Sequence, residues 1–304
     1  MSEADTPVAL PAPVKKKPSM WRALGQAAFW IVLPLMLGLW LSSAQVKKPA
    51  VGIVRINTEI WSLSAELVND EIEAARRDPR IKAVVVQIET PGGEVVATQS
   101  IYYELLNLRQ QMPVVGYIDS YAASGGYYVA MAVDPLFAKP SSTVGNVGVW
   151  GYFPSNIGVN DVVLASGPFK LTASNTEEFL REIDGIKQEF LATVAAGRGD
   201  RLVMSRSDLS QGLAYPGRQA LSLGLVDEMG GQSDAIDRAA ELAGLDSYVV
   251  VDLERQVLAT EKYQELYYGG LPAWEGATNP KTGERSLPPG LYLLYDARLG
   301  STRR

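Results

Sequence analysis

The chain has 304 residues, 28 Lys and Arg against 34 Asp and Glu, a net charge of −6, and neither His nor Cys. The acidic balance, with no basic patch interleaved with aromatics, excludes wholesale nucleic-acid binding. The missing residue types exclude disulfides, a cysteine nucleophile, the usual zinc sites and a Ser-His-Asp triad. Any hydrolase built on this chain must use Ser, Thr, Lys, Asp, Glu or Tyr. The hydrophobic fraction of 47% is that of a globular protein with a full core.

Residues 1–22 read as a disordered tail, Pro-rich and carrying Lys15, Lys16 and Lys17. Residues 23–46, "ALGQAAFWIVLPLMLGLWLSSAQV", hold no charge. At about 1.5 Å per residue they span about 36 Å, enough to cross a hydrocarbon core of about 30 Å. Trp21 and Trp40 suit the two interfaces, and membrane helices tolerate a kink such as Pro34. A cleaved signal peptide, with "SSA" at 42–44 as its site, and a buried helix are the competing readings. The segment is read here as an uncleaved single-pass anchor. Four basic residues before it (Lys15, Lys16, Lys17, Arg22) against three after it (Lys47, Lys48, Arg55) place the N-terminus in the cytoplasm and the large domain outside the cell membrane.

From residue 50 to 253 strands and helices alternate. "VGIVRI" (51–56) is a strand, and "SAELVNDEIEAARRD" (64–78) an amphipathic helix capped by Ser64. "IKAVVVQIE" (81–89) is a strand, 94–110 a helix, and "PVVGYI" (113–118) another strand. A helix starts at Ser124. "PLFAKP" and "VGNVGVW" are short strands around a turn. "VVLAS" then leads to "GPFK", 175–196 is a long helix, and 217–244 hold two more. "YVVVDL" (248–253) closes the domain as a strand. Continuous apolar strands alternating with helices predict an α/β fold with a mainly parallel sheet covered by helices. Residues 254–304 form a C-terminal extension. Its "LYLLYDARL" is open to three readings: a strand, a helix, or a peptide docked on a neighbour.

Three Gly-containing segments follow strands: "ETPGGEV" (89–95), "AASGGYY" (122–128) and "STVGNVGV" (142–149). Turns at the C-terminal ends of parallel strands are where α/β sites collect. Glycine pairs let backbone N–H groups point at a ligand, so two such turns can hold an oxyanion through the amides of Gly125 and Gly93. Ser124, between Ala123 and the Gly pair, reads either as a nucleophile or as a small capping residue in a tight turn. A serine nucleophile needs a base, and neutral lysine serves if burial or positive charge lowers its pKa from about 10.4. Among Lys82, Lys139, Lys187, Lys262 and Lys281, Lys170 stands apart, following an apolar run behind Gly167-Pro168-Phe169.

Together "ETPGGEV", "AASGGYYVAMAVDPLFAKPSSTVGNVGV", "SGPFK" and "GRQALSLGLVDEMGG" resemble the signal peptide peptidase A (SppA) family of serine-lysine proteases, over roughly residues 50–250. The resemblance implies a ClpP/crotonase-like fold, Ser124 as nucleophile, Lys170 as general base, and the amides of Gly93 and Gly125 as the oxyanion hole. Many members carry Thr-Gly-Ser-Ile-Gly where this chain reads "VGNVG", so Asn146 stands where a lysine-orienting serine is expected. The resemblance further implies peptide substrates such as signal-peptide remnants, a homo-oligomeric ring with Ser and Lys from neighbouring subunits, and no metal or cofactor. Three alternatives are weighed against it. They are a protease of the same fold that partners stomatin-like proteins, an acyl-CoA enzyme using Glu89 and Glu94, and an inactive scaffold.

Overall fold

Three apolar runs pair side by side to make the centre of the protein: β1 (Ala50–Ile56), β2 (Ile81–Thr90) and β4 (Val114–Ala123). In the computed structural model the described residues are 20–38, 48–153, 166–170, 172–263 and 290–294. β1 and β4 both run parallel to β2, and β10 (Val249–Asp252) runs parallel to β1. Two short strands share the other edge of β4. β5 (Leu136–Ala138) pairs with residues 116–118, and β6 (Thr143–Gly145) with residues 121–123. β8 (Ala214–Pro216) runs antiparallel to β6, and β9 (Glu228–Met229) pairs with β5.

These strands read as continuous hydrophobic runs because both faces of the sheet are covered. With a side-chain period of two, Val84, Val86, Ile88, Val114 and Ile118 fall on one face, with Val68, Ile72, Ile101 and Leu105. Val51, Ala83, Val85, Val115 and Tyr117 fall on the other, against Ala235, Ala239 and Ala240. The first face is roofed by helices Ser62–Arg77 and Val95–Arg109, and the second by helix Gln232–Leu242.

Element bounds agree with the sequence reading to within a few residues, with informative exceptions. "VGNVGVW" is not one strand: β6 ends at Gly145, Asn146 turns with positive φ, and a separate strand, β7, starts at Trp150. The first helix begins at Ser62, and Ser64 sits inside its first turn, where its hydroxyl accepts the Trp61 N–H at 2.9 Å. β4 runs on to Ala123, and its register against β2 jumps between Ile88/Ile118 and Thr90/Ala122, a bulge that bends the strand beside its C-terminal end. The domain also continues past 253. Helix Leu253–Leu258 packs on helix Ser62–Arg77, and Tyr263, 1% exposed, donates to Asp70 at 2.9 Å. The "VVLAS" strand lies outside the described residues.

Helix Thr176–Arg198 is capped by Asn175, whose Oδ1 accepts the Glu178 N–H at 2.9 Å. At its other end the buried Arg198 guanidinium forks onto Asp227 at 2.7 and 3.0 Å and donates to the Gly224 carbonyl. Burial pushes the Asp227 carboxyl up, but the hydrogen bonds from Arg198 and the Leu136 amide outweigh it and hold the group below its ordinary range.

The N-terminal unit, residues 1–47, is described only through its helix Met20–Gly38. That helix has 19 residues and a mean hydropathy of 1.3 in its apolar window, so it is long and apolar enough to cross a membrane. It starts three residues before the predicted span, and residues 39–46 of that span lie outside the described residues.

The core holds one carboxyl that burial disfavours as an anion. Glu71 is fully buried; Oε2 accepts the Arg55 N–H at 2.8 Å and Oε1 has no partner among the described residues. Desolvation, reinforced by Glu254 and Asp252, raises its pKa to about 8. Between the ordinary carboxyl range and pH 8 the folded chain therefore holds a proton that the unfolded chain has released, so stability falls as pH rises through that window. Glu71→Gln keeps the acceptor and removes the titration. The variant is expected to lose less stability than wild type between pH 5 and pH 8, by up to about 1.4 kcal/mol per pH unit, as read from denaturant melts of the full chain in detergent. Parallel pH profiles for the two chains would contradict this assignment.

Candidate active site

Because β2 and β4 are adjacent and parallel, their C-terminal ends open at the same side of the sheet, with Thr90 opposite Ala122. The Gly92-Gly93 turn leaves β2 there and Ser124 leaves β4. β6 ends beside them and supplies Gly145 and Asn146, so the three glycine segments converge. The Ser124 N–H donates to the Gly145 carbonyl at 2.9 Å.

Hydrogen bonds fix the first turn. The Thr90 hydroxyl donates to the Thr58 carbonyl at 2.6 Å and accepts the Gly92 N–H at 3.2 Å. The Ile60 N–H donates to the Gly92 carbonyl at 2.9 Å, and the Glu94 N–H to the Ile60 carbonyl at 2.8 Å. Residues Gly92–Glu94 thereby become a short strand, β3, bridged in parallel to Ile60. Backbone groups of successive strand residues face opposite edges. With Gly92 and Glu94 turned toward Ile60, the amide of Gly93 faces away from it. A Cβ at Gly93 would lie 1.9 Å from the Ile60 carbonyl oxygen, so only glycine allows this approach. Sequence reasoning passed over Thr90, although a threonine directly before Pro-Gly-Gly at a strand end was the available signal.

Ser124 is 2% exposed and holds φ 51°, ψ −118°. An L-residue kept there stores about 1–3 kcal/mol and persists only when its surroundings over-determine it. The Gly145 carbonyl holds the Ser124 amide, and the Ser124 carbonyl accepts the Tyr128 N–H at 2.9 Å, closing the first turn of helix Gly125–Ala130. Gly125 opens that helix, so its N–H has no intrahelical acceptor. Beyond it, Tyr127 donates to the Leu225 carbonyl at 2.8 Å. The Tyr128 ring packs against Tyr102 and Phe190 with centroids 5.0 and 5.2 Å apart. Asn146 also has positive φ, 56°. Its amide N–H donates to the Leu213 carbonyl and its Nδ2 to the Gly212 carbonyl, each at 2.8 Å, which ties it to the segment before β8.

Lys170 closes a turn at 167–170, ahead of helix Thr176–Arg198. Its side chain is exposed, in contrast to the dry, well-packed pocket that lysine base chemistry demands, and no described contact joins it to Ser124. Other lysines are held by acids. Lys139 pairs with Asp119, and Lys262 with Asp70 and Glu66, and these hydrogen bonds raise the pKa of both. Lys82 lies at the N-terminal end of β2, the opposite end of the strand from the Gly turn. Glu89 and Glu94 accept hydrogen bonds from Ser120 and Ser62, at 2.7 and 3.1 Å. Among the described residues no group of three or more His, Cys, Asp and Glu could hold a metal ion.

Residues 107–246 match the family model described as peptidase family S49. A Synechocystis sp. protein that carries a protease name is 37% identical over 183 residues, 56% of this chain and 66% of its own length. "Protease 4" of Salmonella typhi is 31% identical over 202 residues, 62% of this chain and 32% of its own. An Enterococcus faecium protein named as a signal peptide peptidase SppA is 26% identical over 252 residues, 76% of this chain and 72% of its own. The chain thus spans just under two thirds of the first of these relatives and about one third of the second. A solved structure titled as a mutant of a membrane-bound stomatin-specific protease aligns with 68% of this chain and 95% of its own. Its TM-score is 0.46 at 17% identity.

Two glycine substitutions are expected to shift stability in opposite directions. Gly93→Ala must push β3 off Ile60 and cost about 1–3 kcal/mol. Gly185→Ala, in a helix interior where a Cβ meets nothing within 4 Å, is expected to stabilise by about 1 kcal/mol. Chemical melts of both variants check this, and a neutral Gly93→Ala would refute the tight approach.

Proposed function

The chain belongs to peptidase family S49, the family of signal peptide peptidase A, and from that premise we propose that it is a membrane-anchored serine endopeptidase. Ser124 attacks the substrate carbonyl and Lys170 takes its proton. The amides of Gly93 and Gly125 receive the charge that develops on the carbonyl oxygen. Protonated Lys170 then gives the proton to the leaving amine. Neutral again, it draws a proton from the water that hydrolyses the acyl-enzyme.

The observation that carries this reading is the conformation of Ser124. A non-glycine residue sits at φ 51° at the start of a helix, beside the Gly92-Gly93 turn that leaves the neighbouring strand. Strain of this kind is retained where the surroundings need the residue in one place.

Lys170, exposed in the single chain, calls for a second body of protein to exclude water around it, since burial favours the neutral amine. A ring in which a neighbouring copy covers Lys170 and brings it to Ser124 meets that need. Asn146 has committed Nδ2 to Gly212, so steadying the lysine falls to its Oδ1. The Met20–Gly38 helix serves as anchor, with the N-terminus in the cytoplasm. The domain then works at the outer membrane surface on membrane-associated peptides such as signal-peptide remnants.

Hydrolysis of a fluorogenic peptide panel by the detergent-purified chain tests the reading. Ser124→Ala and Lys170→Ala are each expected to lower kcat/KM at least about a thousand-fold while the circular dichroism spectrum is kept. A Lys170→Ala chain that cuts as fast as wild type would reassign the base. A wild type that cuts nothing from pH 7 to 10 would favour an inactive scaffold.

A further inference from the structure

Glu189 sits where three helices meet. It belongs to helix Thr176–Arg198, which packs against helix Gly125–Ala130. Its Oε1 accepts the Tyr128 hydroxyl at 2.9 Å and the Gln99 side-chain amide at 2.8 Å. Tyr128 lies on the helix that Ser124 opens, and Gln99 on helix Val95–Arg109, which leaves the Gly92-Gly93 turn through Glu94. The third helix, its own, is the one that follows the Lys170 turn. One carboxylate oxygen therefore joins the helices that lead on from all three parts of the proposed machinery. An ionised carboxylate suits this junction, because each oxygen accepts two donors and the charge strengthens both bonds. Desolvation by burial raises the Tyr128 phenol to about 12, so it keeps its proton and donates.

The junction lies at the root of a lever. Residues 176–188 of the helix are exposed or half-buried, and its buried residues, Phe190, Leu191, Val194 and Arg198, all come after Glu189. Ahead of the junction Ile186 packs against the core, and the Phe179 ring meets that of Phe153 with centroids 5.1 Å apart. At about 1.5 Å per residue, 176–188 reach about 20 Å, with the Lys170 turn beyond their far end. A tilt of about 5° at the root moves that end by about 2 Å, and a misplacement of about 1 Å can cost about a hundredfold in rate.

We infer that Glu189 is a positioning residue: it braces the arm that follows Lys170 against the helix that Ser124 opens, and so sets where the lysine stands. This rests on the reading of Ser124 and Lys170 as the dyad. In a ring the same tie fixes each copy's arm to its own body, and thereby fixes where its lysine meets a neighbour.

Full-length chains in detergent test this. The chain has no native Cys, so Glu177→Cys on the arm and Asn107→Cys on helix Val95–Arg109, both at exposed positions, carry a pair of spin labels. Labelled chains diluted among unlabelled ones report the distance from arm to body without any catalysis. Glu189→Ala and Tyr128→Phe are each expected to broaden the distance distribution, and Glu189→Gln, which keeps the acceptor oxygen, to leave it narrow. In unlabelled chains Glu189→Ala should lower kcat about tenfold or more, with KM within about twofold of wild type and the circular dichroism spectrum kept. Glu189→Gln should recover most of that loss, and Glu189→Ala added to Tyr128→Phe should cost less than the two losses combined. An unchanged distribution in Glu189→Ala overturns the inference, and so does a kcat that stays at the wild-type value while the distribution broadens. If no chain cleaves any peptide while Glu189→Ala broadens the distribution, the brace stands and the peptidase reading alone falls.

Discussion

Parallel pairing of β2 with β4 is the constraint on which the rest of the site depends. Two neighbouring strands pointing the same way must end on the same side, so the Gly92-Gly93 turn and Ser124 emerge together. The bulge near the end of β4 bends that strand, and β6 then docks on its last three residues. This brings the Gly145 carbonyl to the Ser124 amide. An antiparallel arrangement of the same runs would send the two turns to opposite ends.

Burial on both faces makes the pairing rigid enough to hold strain. Helix Gly125–Ala130 is buried throughout, and Tyr127 and Tyr128 lock it to the Leu225 segment and to helix Thr176–Arg198. The Arg198–Asp227 pair ties the end of that helix to β5 through the Leu136 amide. Removing one partner of a buried pair leaves an uncompensated charge and typically costs about 3–5 kcal/mol. These contacts leave Ser124 little freedom to relax from φ 51°.

Strong periodic signals made the central elements legible in sequence. Val84-Val85-Val86 could only be a strand covered on both faces, and Pro-Gly-Gly after it could only be a turn. Short strands were harder. β3, β8 and β9 have two or three residues each, too few to show alternation, and they exist because neighbouring edges offer partners. Ser64 carried a capping signature but sits in the first turn, because Trp61 accepts the extended angles of the cap position. The three glycine segments and their serine could be read from turn chemistry and resemblance together. The exposure of Lys170 could not, because it depends on what lies next to the turn and not on the turn's own residues. Likewise "LYLLYDARL" allowed a strand, and Gly290–Leu294 form one, but nothing in it named residues 92–94 and 150–152 as its partners.

The central proposal is that Ser124, strained beside the Gly92-Gly93 turn, is chemically activated and that Lys170 activates it. An activated-serine phosphonate probe, followed by mass spectrometry of the intact and digested chain, measures this without any choice of substrate. The account predicts a single adduct on the peptide containing Ser124, and none when Lys170 is replaced by Ala. An unmodified wild type, or an adduct on another serine, would contradict it.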